Sequence, residues 1–362
     1  MKLSIFPYVV QNEIFDNLEI SELLLLSFVS KNMKKLIKSS QTSRFKSISQ
    51  IEYDNSRGYP IRVHIPFVSE FDSPLMEFRE RRDYETDDEF FQLKVSGKVL
   101  NFQLHYRYSF PQVYFLKDSD RNSAIEAIHY YFLNFFGYTV EYLYRDDYLK
   151  IVPHLPKLSL CLKFSTEKVT YWPNQPEAIR DIKKIENFLA SSPVLKRIFM
   201  DLETPEMFRP ESKFYQAESI VLIQNFNTVP AFLRHFQGRQ ALLYCKTWDI
   251  LDLIEFMNRW KSGEGSKKME YLDIRMIAND IHQNEFLNAL GVKRIDESKT
   301  PPTHTLPKLF NIGFGPNTFP IISRSYVVRE TDNRVASVHI LGNSFYFGVW
   351  NKTEEEFLKM VT

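Results

Sequence analysis

The chain has 362 residues and a formal net charge of +1, because 46 lysines and arginines are balanced by 45 aspartates and glutamates. A balance this close to zero provides no net field that would attract nucleic acid or an anionic membrane surface. Apolar residues make up 44% and charged residues 25%, a globular composition that excludes a disordered scaffold. At roughly 100 to 200 residues per domain, the length predicts two or three domains.

Glycine and cysteine are both scarce, with 11 and 2 residues respectively. Few glycines argue against a fold that brings its backbone close to phosphate groups through Gly-rich loops. Cys161 and Cys245 have no neighbours at metal-ligand spacing and the histidines are scattered, so we predict no metal, no cofactor and no catalytic residues. The two cysteines indicate a reducing compartment, cytoplasmic and/or nuclear, and no apolar stretch reaches the ~18 residues of a membrane helix.

Residues 1–46 differ from the rest of the chain because their apolar residues recur at helical spacing. Pro7 suits the first position of a helix, and Val10, Ile14 and Leu18 then form one apolar stripe. Ser21 is a candidate N-cap for a second helix, and a third helix ends in basic residues. We therefore predict a three-helix head.

This head carries more apolar surface than three short helices can cover among themselves. We expect a partner to cover the excess through helix-in-groove contacts, while about half of the candidate residues hold the helices together. The candidate partner contacts are Phe6, Pro7, Val10, Ile14, Leu18, Leu23 and Leu26.

Residues 47–138 are predicted to form a strand-rich linking region with one helix. Apolar runs separated by polar turns predict the strands, and the dense mixed charge of residues 77–89 predicts an exposed loop. An amphipathic pattern predicts the helix over residues 119–136. The strands are predicted over residues 47–53, 61–68, 90–95 and 99–106.

Residues 139–300 repeat a pattern in which apolar residues stand at the first, fourth and sixth positions. The middle positions are separated by 40, 22, 21 and 31 residues, which brackets the ~20 to 29 residues of leucine-rich repeats. The predicted fold is mixed α/β, a helical head followed by an irregular leucine-rich-repeat-like α/β solenoid with β-strand extensions. The alternative is an ordinary α/β sheet. The middle positions are Leu158, Ile198, Ile220, Ala241 and Leu272.

Strand positions between these buried anchors are expected to point outward and to contact a bound protein. Residues 301–362 begin with a proline-rich link, Pro301, Pro302 and Pro307, and are predicted to form a closing β-meander that caps the last repeat. The candidate contacts on the repeat face are Lys196, Phe199, Asp201, Val221, Glu270 and Asp273.

Both ends of the chain resemble one family. Phe6-Pro7, Glu13-Ile14 and Leu18 stand at the spacing of an F-box, so residues 1–46 resemble an F-box domain. Residues 248–274 resemble the type-2 F-box-associated region of nematode F-box proteins. Asp332-Asn333 replaces the Asp-Gly turn of that family's closing segment, and a hairpin is still expected because Asn tolerates positive φ.

The resemblance implies the substrate-recognition subunit of an SCF-type (cullin–RING) E3 ubiquitin ligase. The F-box would bind a Skp-family adaptor, the C-terminal region would bind an unidentified protein substrate, and the chain itself would catalyse no reaction. The alternative is a leucine-rich-like protein-interaction module that recruits no ligase.

A run of basic residues at the end of the head contains no acidic residue. A nucleic-acid site would need interleaved aromatic residues or a recognised module, so we interpret the run as a solvated helix face and predict no nucleic-acid or membrane partner. Contact with acidic surface on the adaptor or the ligase scaffold is the second hypothesis. The run comprises Lys31, Lys34, Lys35, Lys38, Arg44 and Lys46.

Overall fold

The computed structural model of the chain divides into a first unit, Met1–Leu160, and a second unit, Cys161–Thr362. The finer division predicted at residues 46, 138 and 300 stays a prediction. The structure describes residues 6–55, 60–66, 74–82, 85, 90–107, 110–146, 155–165, 182–192, 195–201, 206–224, 228–246, 249–276, 287–310 and 317–362.

The helical spacing at the N-terminus produces the predicted head. Its apolar stripes meet in a small core, because α1 and α2 both contact α3. A short helix beyond the three predicted ones turns the chain towards the first strand. The helices are α1 (Tyr8–Asp16), α2 (Ile20–Val29), α3 (Lys31–Ser40) and α4 (Thr42–Lys46).

A mixed sheet and one long helix complete the first unit. The strand order is β7-β1-β2-β3-β6-β5-β4, in which β1 pairs with β7 and β3 with β6 in parallel, and the other neighbours are antiparallel. The long helix α5 lies near the predicted position. The elements are β1 (Gln50–Asn55), β2 (Ile61–His64), β3 (Met76–Glu80), β4 (Phe91–Val95), β5 (Lys98–Leu104), β6 (Pro111–Phe115), α5 (Asp118–Phe135) and β7 (Glu141–Asp146).

The predicted exposed loop over residues 77–89 is wrong at its start, because residues 76–80 form strand β3 inside the sheet. Glu77 is buried there, since its carboxylate accepts hydrogen bonds from Arg62 Nε at 3.0 Å and from Gln112 Nε2 at 2.8 Å. A paired carboxylate can be buried at acceptable cost. Residues 83–84 and 86–89 of this prediction, and residues 67–68 of the predicted second strand, lie outside the described residues.

The second unit contains four parallel strands in the order β9-β10-β11-β12. Their register places the predicted anchors side by side, Ile198 with Ile220, Ile220 with Ala241, and Ala241 with Leu272. This alignment is confirmed, whereas a leucine-rich-like solenoid stays a proposal. The elements are β8 (Leu158–Ser165, across the unit boundary), α6 (Ile182–Ser191), β9 (Leu195–Asp201), β10 (Ser219–Gln224), α7 (Val229–His235), β11 (Gln240–Cys245), α8 (Ile250–Ser262) and β12 (Tyr271–Met276).

Antiparallel strands near the C-terminus continue the sheet beyond β12, whereas their role as a cap on the last repeat stays a prediction. Strands β16, β17 and β18 are antiparallel neighbours, and β18 pairs antiparallel with β12. Asn333 has φ 56° in the turn before β17, as the hairpin requires. The elements are β13 (Lys293–Arg294), β14 (Thr303–His304), β15 (Ile321–Ile322), β16 (Ser325–Val328), β17 (Arg334–Leu341), β18 (Ser344–Thr353) and α9 (Glu354–Leu358).

Candidate functional site

The start of α1 is fixed by hydrogen bonds to the two residues that precede the helix. The carbonyl of Pro7 accepts from the backbone N–H groups of Val10 at 3.0 Å and Gln11 at 3.1 Å, so Pro7 is the N-cap and stands one position before the first helical residue. The side chain of Gln11 donates from Nε2 to the carbonyl of Phe6 at 2.6 Å. These bonds hold the Phe6-Pro7 segment in one direction as it leads into the helix.

The second helix begins earlier than predicted. Glu19 rather than Ser21 is its N-cap, and a reciprocal capping box joins Glu19 to Glu22, whose Oε2 accepts from the Glu19 N–H at 2.8 Å. Ser30 caps α3, because its Oγ accepts from the Met33 N–H at 3.1 Å. These two caps fix where α2 and α3 begin.

The core of the head is formed by fully buried apolar side chains, and Leu23 is one of them. Gln41 Nε2 donates to Asp16 Oδ1 at 2.6 Å, and Arg44 Nη1 donates to the carbonyl of Leu18 at 2.7 Å, so the ends of α1 and α4 are joined. Because Leu23 is buried, it is not available to a partner. The other core members are Phe15, Leu24 and Ile37.

The surface of the head retains apolar side chains at the start of α1. Tyr8 is 54% exposed, Val9 77% and Val10 40%, and Pro7 is also exposed. Tyr8 and Val9 were missed by the sequence analysis because it followed a single four-residue stripe. We call Phe6, Pro7, Tyr8, Val9, Val10 and Ile14 the α1 patch.

Another part of the head's apolar surface is covered by the chain itself. The Phe28 and Tyr131 rings lie 4.5 Å apart between centroids, and the Phe45 ring lies 5.0 Å from Phe135. The Tyr131 hydroxyl oxygen lies within hydrogen-bond distance, 2.8 Å, of both the carbonyl oxygen and the Oγ of Ser27. Part of the excess apolar surface for which a partner was expected is therefore covered by α5 of the same chain.

The candidate contacts on the repeat face do not share one face of the sheet. In register, Phe199 pairs with Val221, and Leu242 stands between Val221 and Asp273. Strand alternation places Lys196 and Glu270 on the other face, with the anchors. Both are also engaged, Lys196 with Glu218 at 3.7 Å and Glu270 with Arg239 at 2.9 Å. Asp201 lies two residues beyond Phe199 at the end of β9 and is half-buried.

Val221 and Asp273 are buried, so the prediction that they point into solvent is wrong. Val221 belongs to an apolar cluster with Phe310 and Ile321, residues from the segment between β13 and β16. Asp273 is satisfied inside the protein, because Arg275 Nη2 donates to its Oδ2 at 2.8 Å. This hydrogen bond raises the pKa of Arg275 further above its usual range, so the guanidinium stays charged.

A recess of about 280 Å³ opens beside this ion pair. Tyr244 and Arg275 contribute to its wall from neighbouring strands, with the guanidinium carbon 5.4 Å from the Tyr244 ring centroid. Lys308 lines it from the covering segment, and burial lowers the pKa of that lysine. The sequence signal for Tyr244 and Arg275 is their position two residues after Leu242 and Asp273, on the same face.

The family model of the F-box domain matches residues 3–44. Residues 3–44 form an F-box domain. F-box domains generally bind Skp-family adaptors in SCF complexes, and the proteins that carry them are generally non-catalytic. No curated protein and no solved structure matches the chain. The nematode type and the type-2 associated region implied by the resemblance stay predictions.

Within the F-box, the predicted adaptor contacts other than Leu23 retain solvent access, either exposed or half-buried. None of the described helices has the length and apolar character needed to cross a bilayer. In the parts of the chain that the structure describes, no three His, Cys, Asp or Glu side chains come together as a metal-binding group. The residues that remain with solvent access are Phe6, Pro7, Val10, Ile14, Leu18 and Leu26.

Proposed function

We propose that this chain is the substrate-recognition subunit of an SCF-type E3 ubiquitin ligase. One observation carries the proposal: a segment that matches the F-box domain leaves Tyr8, Val9 and Val10 in solvent at the start of its first helix. Adjacent exposed apolar side chains at a pre-formed helix start are typical of a protein-binding surface. The Skp-family adaptor is the partner that F-box domains generally bind.

The adaptor contact is the α1 patch, extended by Leu18 and Leu26. Fully burying a valine stabilises an interface by about 1.5 kcal/mol or more, and Val9 at 77% exposed has most of that gain still available. Gln11 and the Pro7 carbonyl already fix the helix start, so little order has to be gained on binding. Leu23 is left out of the contact set because it lies in the core.

The protein to be ubiquitylated binds the second unit. The parallel strands β9 to β12, in the proposed leucine-rich-like stacking, present one face to the substrate. Phe199 and Asp201 lie on this face at β9, and the recess beside Tyr244 and Arg275 lies on it at β11 and β12. Lys308 lies beside the Arg275–Asp273 ion pair at this recess, and the recess is the part of the second unit that contacts the substrate. The complex is expected to work in the cytoplasm and/or nucleus, and the cullin–RING partners join through the adaptor.

Co-purification with a Skp-family adaptor tests the proposal. The full chain is compared with a Val9→Asp plus Val10→Asp variant and with a matched control, Val99→Asp plus Leu104→Asp, which changes two apolar side chains outside the F-box that are 60% and 44% exposed. A carboxylate in a desolvated apolar contact costs on the order of 3 kcal/mol, so the Val9→Asp plus Val10→Asp variant should bind at least ~100-fold more weakly. All three proteins should melt alike, because the changed side chains are already in solvent.

Recovery of adaptor with the wild type and the control, but not with the Val9→Asp plus Val10→Asp variant, supports the proposal. Equal recovery with all three, or none with the wild type, contradicts ligase recruitment. If the chain captures a protein through its second unit while the adaptor is absent from every sample, the function is that of an interaction module without a ligase.

A further inference from the structure

A cavity of about 980 Å³ lies in the first unit between α3 of the F-box, α5 and the turn that joins β4 to β5. Among the described residues that line it, none is an aspartate or a glutamate. Phe28 and Tyr131 form an apolar part of its wall. We call this cavity the lysine groove, because Lys31, Lys34, Lys35, Lys38 and Lys94 line it.

Helix geometry explains why the charges converge. Lys31, Lys34, Lys35 and Lys38 stand at positions i, i+3, i+4 and i+7 of α3 and so occupy one face of the helix. Lys94 approaches from β4. No acidic residue stands between positions 23 and 51, so α3 has no carboxylate partner within its own sequence neighbourhood.

The contacts of these lysines orient the charges without neutralising them. Lys38 Nζ donates to the carbonyl of Asn134 at 2.6 Å, and Lys34 Nζ lies 3.7 Å from the centroid of the Tyr131 ring. Lys31, Lys35 and Lys94 have no carboxylate partner in the described part of the chain. The groove therefore concentrates five positive charges in a protein whose net charge is only +1.

The pKa of Lys34 reflects the cost of holding these positive charges close together. Burial, followed by the charge of Lys38, lowers the pKa of Lys34 to about 8. A bound anion would offset both effects, because it would replace lost hydration and screen the repulsion between lysines.

We propose that the lysine groove binds a compact anion that carries several phosphate groups. The volume is at the upper end of the range for small-molecule sites, roughly 300 to 1,000 Å³, and lysines bind phosphate oxygens as point charges. A single-stranded nucleic acid would need several free aromatic faces in succession, but among the described lining residues Lys34 covers one face of Tyr131, Phe28 is buried, and Tyr130 is the one exposed aromatic side chain. Tyr130, which is 45% exposed in the wall of the groove, offers an apolar surface for a carbon skeleton that bears the phosphates.

The groove shares no residue with the α1 patch, so the two binding events can be tested separately. The proposed ligand chemistry is the same whether the phosphates belong to a free molecule or to a lipid headgroup. The inference therefore does not depend on the proposed ligase function.

Calorimetric titration of the full chain with inorganic tripolyphosphate is the primary test. The groove variant is Lys35→Gln plus Lys94→Gln, and the matched control is Lys46→Gln plus Lys117→Gln, exposed lysines of the same unit that do not line the groove. Both double variants remove the same charge. We expect the control to bind like the wild type and the groove variant to bind at least tenfold more weakly.

Two further arms identify the source of the phosphates. Sedimentation with vesicles that contain a phosphatidylinositol bisphosphate reports a lipid headgroup, and a soluble inositol polyphosphate reports a free ligand. Binding in either arm, with loss in the groove variant alone, supports the proposal. The groove variant should melt no lower than the wild type, because it relieves repulsion between lysines.

Three results would overturn the proposal. The first is no binding of any phosphate probe at about 0.15 M salt. The second is equal weakening in the groove variant and the control, which would indicate only a general charge effect. The third is binding of a twelve-residue polyglutamate peptide in the groove as tightly as tripolyphosphate, which would assign the surface to an acidic protein.

Discussion

Phe45 joins the F-box to the rest of the first unit, and its truncation to alanine tests that connection. The ring is buried and lies 5.0 Å from Phe135 and 5.5 Å from Phe136 between centroids, the latter edge-on. A buried aromatic side chain removes roughly 150 Å² of surface from water, which at about 25 cal/mol per Å² is worth about 4 kcal/mol. Phe45→Ala should lower the free energy of unfolding of the first unit by this amount.

Urea denaturation of the full chain gives the free energy, and hydrogen exchange of α2 and α3 shows whether the F-box loosens first. The Phe45→Ala and Phe135→Ala changes should be coupled by about 0.5 to 1.5 kcal/mol in a double-mutant cycle. Tyr106→Ala is the control, because that side chain is 82% exposed in the same unit and its removal should cost less than about 0.5 kcal/mol.

A cost of less than about 1 kcal/mol for Phe45→Ala, or an effect that adds to that of Phe135→Ala without coupling, would contradict this connection. Either result would mean that the F-box and α5 fold without sharing a core. The Phe28–Tyr131 and Phe45–Phe135 contacts would then have no energetic role in fixing the F-box.

Two further predictions concern the second unit. A Cβ added at Gly348 would lie 2.6 Å from Nδ1 of the buried His304, and this ring cannot move away easily because its Nε2 is held at 3.1 Å from the Val349 carbonyl. Gly348→Ala should therefore lower the free energy of unfolding, measured by urea denaturation, by about 1 to 3 kcal/mol. The loss should be smaller in a His304→Ala background. The hydrogen bonds from Arg329 lower the pKa of Asp332 in the folded protein below its usual value of 3.8. The ionised carboxylate therefore stabilises the fold above pH 3.8, and this stabilisation is lost as the pH falls through the pKa of the folded state. Asp332→Asn should therefore lose less melting temperature than the wild type between about pH 6 and pH 3, and an identical acid limb would contradict the assignment.

The parts of the fold that could be predicted are those set by local apolar spacing. Ile198, Ile220, Ala241 and Leu272 were aligned from sequence alone, and the strands pair in that register. The alignment succeeds because all four anchors are buried on the same face of the sheet, so a fixed position in each strand stays apolar. Asn333 at the last hairpin was predictable for a similar reason, since few residues accept φ 56°.

Charged residues inside the sheet could not be predicted from local pattern. Glu77 was assigned to an exposed loop, but Arg62 and Gln112 satisfy its carboxylate from positions far along the chain. Asp273 was assigned to solvent, but it lies under a covering segment and is paired with Arg275. The partners of Glu77 are specified by strand register, which the charge of a single residue does not reveal. Arg275 stands only two residues after Asp273 on the same strand, so for Asp273 the unpredicted feature is the covering segment.

The adaptor surface was half predictable for a physical reason. Excess apolar surface in residues 1–46 indicates that something must cover it, but composition does not say whether the cover is the same chain or another one. The aromatic residues of α5 cover the side that contains Phe28 and Phe45, and the start of α1 is left in solvent. Helix α5 covers this part of the surface, and it lies outside residues 1–46, so the pattern within that segment could not show which part would be covered.

The same contact between α3 and α5 links the stability of the F-box to the lysine groove. The groove exists only while α3 lies against α5, because Lys35 lines it from α3 and Asn134 from α5. A ligand that binds this docked state stabilises it by about 2.7 kcal/mol at 100 times its Kd. That is comparable with the ~4 kcal/mol assigned to Phe45, so an anion in the groove can offset much of the loss caused by Phe45→Ala. The position of the F-box on the first unit therefore depends on aromatic burial and on anion concentration together.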